Sequence, residues 1–113
     1  MTERLKVRVK FFSEPNGGRG NLPQDLLSCG SYRPHLVVGD PNQKRALVDG
    51  RNQSTEDYLG VIFVAQAGPL EVEKEISAEV ETIYPQVNYS SLKKGAAFTI
   101  REGGSIVGNG QVL

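Results

Sequence analysis

Apolar and polar residues alternate almost from the first residue of the chain. Leu5, Val7, Val9 and Phe11 interleave with Lys6, Arg8 and Lys10. A period of two predicts a half-buried strand, with the apolar face turned inward and the basic face outward. The run Asn16-Gly17-Gly18-Arg19-Gly20 and then Pro23 break the pattern, which predicts a loop to residue 31. Residues 32–38 form a second predicted strand, with an edge or bulge where Pro34 lacks a donor N–H. Gly39-Asp40-Pro41-Asn42 is a turn, 44–48 a short third strand, and 51–56 a polar loop. Residues 59–67 are the most apolar run, rich in β-branched and aromatic side chains, and predict a central strand closed by Gly68-Pro69.

The stretch 71–84 carries two conflicting signals. Its glutamates and Lys74 are good helix formers. Its apolar residues Val72, Ile76, Ala78, Val80 and Tyr84 all occupy even positions, which is strand spacing, and only Ile83 departs from it. Position outweighs propensity here, so a strand is expected, with glutamates on the wet face. After a loop at 88–95, two strands are expected at 96–101 and 105–113, joined by Glu102-Gly103-Gly104. That tripeptide supplies the positive-φ positions of a tight hairpin. Gly108 and Gly110 point to a bulge or close backbone packing in the last strand. Six or seven short strands with regular turns imply an all-β sandwich or barrel.

Composition narrows the picture further. The 113 residues fit one domain spanning 1–113, and thirteen Gly with six Pro suit a fold rich in turns. No stretch reaches the roughly 18 apolar residues of a membrane span. The N-terminal residues lack the apolar core of a secretory signal. Cys29 is the single cysteine, which excludes an intrachain disulfide and suits a cytoplasmic location. Net charge is zero but unevenly distributed: residues 1–51 hold nine Lys/Arg against five Asp/Glu, and 52–113 hold four against eight. That asymmetry suggests a basic side, unless the two halves interleave and the charges mix in space.

Catalytic chemistry finds little material. One His and one Cys do not make a zinc site, and no other metal or cofactor motif is present. His35 has no nucleophile motif beside it, and no family signature surrounds a Cys29–His35 dyad. The glycine-rich run at 16–20 lacks the Lys-Ser/Thr ending of a phosphate loop. Glu79 and Glu81 share a strand face at roughly 7 Å, a glycosidase-like spacing. A chain without Trp offers little of the aromatic cleft such pairs need, so a solvated strand face accounts for them better. Binding features remain. Lys6, Arg8 and Lys10, with Arg4, form a stripe able to meet phosphates. The Glu102-Gly103-Gly104 turn offers main-chain N–H groups with no Cβ in the way.

Two segments together resemble the third domain of elongation factor Tu. Gly30-Ser31-Tyr32-Arg33-Pro34 is similar to its Gly-Tyr-Arg-Pro motif, with Ser31 as an extra residue. The segment Ala97-Phe98-Thr99-Ile100-Arg101-Glu102-Gly103-Gly104-Ser105-Ile106-Val107-Gly108-Asn109-Gly110 is similar to its C-terminal Phe-Ala-Ile-Arg-Glu-Gly-Gly segment and the Val-Gly-Ala-Gly run that follows. The resemblance covers residues 5–113. It implies a closed antiparallel barrel of about six strands that does no chemistry, contacts the T-stem backbone of aminoacyl-tRNA, and meets the GTPase domain and the exchange factor. The positions it carries over as RNA contacts are Glu102, Gly103 and His35, the last replacing a frequent Gln. Three regions depart from the family: residues 39–58, Ala67-Gly68-Pro69-Leu70 in place of Met-Pro-Gly-Asp, and Asn88 where a lysine is usual. A GTPase domain is not represented, so GTP hydrolysis is not implied.

The expectation is a non-catalytic, translation-factor-like module that binds tRNA or other structured RNA through backbone and shape. The alternative is a protein-interaction module docking on a translation GTPase or its exchange factor. The candidate RNA contacts are Glu102, Gly103, His35, Lys6, Arg8 and Lys10. No cofactor, metal or membrane partner is expected.

Overall fold

The computed structural model describes residues 3–18, 22–43, 57–103 and 105–113. Six strands occur among them: β1 Arg4–Phe11, β2 His35–Val38, β3 Leu59–Gln66, β4 Glu75–Thr82, β5 Ala97–Glu102 and β6 Ser105–Val112. One turn of 3₁₀-helix, Glu14–Asn16, follows β1. Every pairing is antiparallel, and the sheet closes on itself in the order β1-β4-β3-β2-β5-β6. Each strand therefore has a partner on both sides, and the ring has no open edge among the described residues. The predicted third strand at 44–48 lies outside the described residues. No described helix is long and apolar enough to cross a membrane.

Alternation does what the pattern predicted. Val7, Val9 and Phe11 of β1 point into the ring, as do Val61 and Phe63 of β3, Ala78 and Val80 of β4, and Phe98 and Ile100 of β5. Burying one such side chain contributes about 1.5–3 kcal/mol. The core is capped by loop residues: Leu26 and Leu27 after β1, Leu70 after β3 and Leu92 before β5 are all buried. On β6 the inward positions include Gly108 and Gly110, and the Ile100 side chain packs against the first and the Phe98 ring against the second. Both readings of those glycines hold, since the β5–β6 register also slips between Ile100 and Arg101, leaving Val107 as a bulge.

The stretch 71–84 is strand, as its even-position spacing predicted, but only from Glu75 to Thr82. Ahead of it, Glu73 sits in the left-handed region at φ 60° and breaks the extended backbone. Its N–H donates to the Phe11 carbonyl at 2.7 Å, and its carboxylate accepts from the Ser13 N–H at 2.8 Å. Val72 therefore falls outside the alternation and is exposed. β2 is also shorter than predicted. Residues 32–34 still run beside β3, with Phe63 N–H donating to Tyr32 O and Val61 N–H to Pro34 O. Pro34 precedes the ladder rather than marking an edge, because the closed ring leaves no edge to mark. Regular β2–β3 pairing is limited to His35↔Gly60 and Leu36↔Leu59.

Candidate functional site

The β5–β6 hairpin closes with Glu102 opposite Ser105, and Gly103 opens its turn. Gly103 adopts φ 60°, which a side chain rarely tolerates, and a Cβ there would meet nothing within 4 Å. Its main chain is open to a visiting molecule. Glu102 is half-buried, and its Oε2 accepts from the Tyr32 hydroxyl at 2.6 Å. Tyr32 is fixed in turn by stacking on Phe63 (5.7 Å between centroids) and by Phe11 at 6.0 Å. The hairpin is thus pinned to the aromatic end of the core, and this carboxylate is oriented rather than freely mobile.

His35 reaches the same neighbourhood from far away in sequence. Its pairing with Arg101 sets it on the strand beside Glu102. The imidazole is half-buried, with the Tyr58 ring 5.8 Å away in an edge contact. Arg101 is fully buried although it lies on the outer face of β5. Its Nε donates to Thr99 Oγ1 at 2.8 Å and Nη1 to the Tyr58 hydroxyl at 3.0 Å, with the guanidinium 5.5 Å from the Tyr58 ring centre. Burying a guanidinium without such partners is costly, so this cluster ties the approach to β3 onto the β2–β5 face. Asn109 does similar work on β6, donating from Nδ2 to Pro41 O at 2.8 Å. Neither Arg101 nor Tyr58 was predicted as part of a site. Arg101 is out of phase with the inward Phe98 and Ile100, and no local pattern reveals that a distant segment covers it.

Lys6, Arg8 and Lys10 lie elsewhere. In the ring order, β1 and β2 are separated by two strands on either side, so the stripe stands across the ring from His35. The candidates therefore form two groups: Glu102, Gly103 and His35 together, and the three cations of β1 apart from them. β1 runs directly beside β4, with Lys6 opposite Glu79 and Lys10 opposite Glu75. Arg4 sits 3.2 Å from Glu81 and 3.7 Å from Glu79, and Arg8 3.9 Å from Glu75. The basic and acidic halves of the sequence interleave, at least along this seam. On the other flank of β1 the neighbours are amides. A groove of about 360 Å³ runs over β6, lined by Arg8 and Lys10 together with Glu75, by Asn109 and Gln111, and by Pro41 and Ala97. Among the described residues Lys6 and Lys10 have no carboxylate within ion-pair distance.

Other chemistry is sparse. Cys29 is exposed; hydrogen bonding from the Ser31 side chain, and then from its backbone, holds the thiol below its usual range. Its Sγ lies 3.2 Å from Ser31 Oγ and 3.2 Å from the Leu26 carbonyl, and no hydrogen bond among the described residues links it to His35. No group of three metal-ligating side chains occurs among the described residues. No family model matches the chain, and no curated protein matches it.

Proposed function

We propose that this chain is a non-catalytic binding module of the elongation factor Tu domain 3 type, and that it holds the backbone of a structured RNA such as tRNA. The observation that carries the reading is the hairpin tip. Glu102, Gly103 and His35 are the positions the family resemblance singled out, and they lie on adjacent paired strands with the Gly103 main chain exposed. A backbone amide without a Cβ suits close approach to a sugar-phosphate chain, and a fixed carboxylate suits a ribose 2′-hydroxyl. Cations of β1 that face the β6 groove add a second contact zone for phosphates. Recognition of this kind reads duplex shape rather than base sequence.

The test is tRNA affinity measured across a salt series. Few phosphate contacts are available, so log Kd should rise with log salt with a slope of roughly two to three, at just under one unit per phosphate. Gly103→Val should weaken binding at every salt concentration, whereas Lys10→Ala should also lower the slope. Absence of tRNA binding at low salt would remove the reading. A second reading is favoured by the glutamates of β4. Their alternation with the β1 cations makes a mixed-charge face suited to a protein, such as a translation GTPase or its exchange factor. Capture of such a partner, unaffected by ribonuclease and lost on reversing Glu79 and Glu81 to lysine, would support that reading instead.

A further inference from the structure

A second surface adjoins the His35–Arg101 cluster and shares Tyr58 with it, where β1 and β3 begin and β4 ends. Two clefts of about 380 and 300 Å³ meet there at Val87. The first is walled by Tyr84, Pro85 and Tyr89, with Glu3 at its margin. The second has Tyr58 and Asp57 on one side and Asn88 with two serines on the other. We propose that this double cleft docks a short basic peptide segment carrying an apolar side chain.

Three observations carry the proposal. Tyr84 is 42% exposed, yet its ring is not loose. It lies across the backbone of Gly60, where a Cβ would fall 2.2 Å from Tyr84 Cε2. Tyr89 ties the main chain on both sides of this contact, its hydroxyl donating to the Gly60 carbonyl and accepting from the Tyr84 N–H at 3.3 Å. A large ring held against main chain is a preorganised contact, which lowers the entropy cost of binding. The charge is the third observation. Glu3 and Asp57 are exposed, neither is ion-paired among the described residues, and no lysine or arginine lines either cleft. Phosphates would meet two carboxylates here, whereas lysine or arginine side chains would be attracted, with an apolar neighbour set on the tyrosine.

Fluorescence anisotropy with a labelled lysine-rich peptide containing one leucine tests the proposal, with a glutamate-rich counterpart as control. The lysine peptide should bind and the glutamate peptide should not. Tyr84→Ala and Gly60→Ala, which remove or displace the ring, should each weaken binding about tenfold, the scale of a central aromatic contact. The Glu3→Gln/Asp57→Asn double variant should weaken it and flatten its salt dependence. Thermal melts verify that each variant is folded. Failure of the lysine peptide to bind, or affinity unchanged in Tyr84→Ala, would overturn the proposal, the latter because the peptide then sits on the β4 glutamates. So would equal binding of the acidic peptide, or Tyr84-dependent self-association without peptide, which would make a second copy the occupant.

Discussion

Replacing Gly110 by alanine should destabilise the protein, against the usual trend for glycine in a strand. Adding a methyl group to a strand glycine normally stabilises by about 0.5–1 kcal/mol, because the unfolded chain loses freedom. Here the new Cβ would fall 2.4 Å from the Arg8 carbonyl oxygen and 2.8 Å from Phe98 Cζ. The ring can turn a little, but Arg8 belongs to the β1–β6 ladder and its carbonyl cannot move without parting two strands. Overpacking of this kind costs about 1–3 kcal/mol, and backbone involvement places it near the top of that range. Subtracting the entropic gain leaves a net loss of about 2 kcal/mol, or roughly 8 °C in Tm for a domain of this size. Gly60→Ala is the control. Its nearest obstacle is the Tyr84 side chain rather than main chain, so displacing that ring should cost less, about 1 kcal/mol. Urea unfolding of both variants measures the difference. The reasoning fails if Gly110→Ala is as stable as the parent, or if both variants lose the same amount.

Further expectations concern single interactions. Tyr32→Phe removes the donor to Glu102 and should cost about 1.5–2 kcal/mol in urea unfolding, since the acceptor is charged and half-buried. Arg4→Ala removes an exposed pair with Glu79 and Glu81 and should change stability by no more than about 1 kcal/mol, with the effect vanishing at high salt. Alkylation of Cys29 should begin at a lower pH than that of a free thiol, because hydrogen bonding from Ser31 favours the thiolate; Ser31→Ala should move the alkylation profile to higher pH.

Much of the strand layout is legible in the chain because a two-residue period needs only local sequence. β1, β3, β5 and β6 lie within a residue or so of where alternation puts them, and the even apolar positions of 71–84 identify β4 despite its glutamates. Three features resist such reading because distant contacts create them. Leu26, Leu27 and Leu92 sit in loop-like sequence, yet they cap the core once the ring closes. Glu73 turns left-handed to meet Phe11 and Ser13, which shortens β4 and exposes Val72. Arg101 is buried by the approach of Tyr58, not by anything within β5. The site shows the same division. The tip could be read from Glu102-Gly103-Gly104 alone, whereas the separation of His35 from the β1 cations follows from strand order, and the Tyr84–Gly60 contact has no sequence signature.

Ring closure ties the two ends of the chain together, since β1 depends on β4 and on the final strand for both of its hydrogen-bonded flanks. An emerging polypeptide can form the β3–β4 and β5–β6 ladders early, but its first strand must wait for the last. Such long-range pairing slows folding to the order of milliseconds to seconds. On a ribosome, then, β4 can match the cations of β1 as soon as it emerges, while the other backbone flank of β1 stays open until β6 follows, a window in which a chaperone or another exposed strand could pair with it.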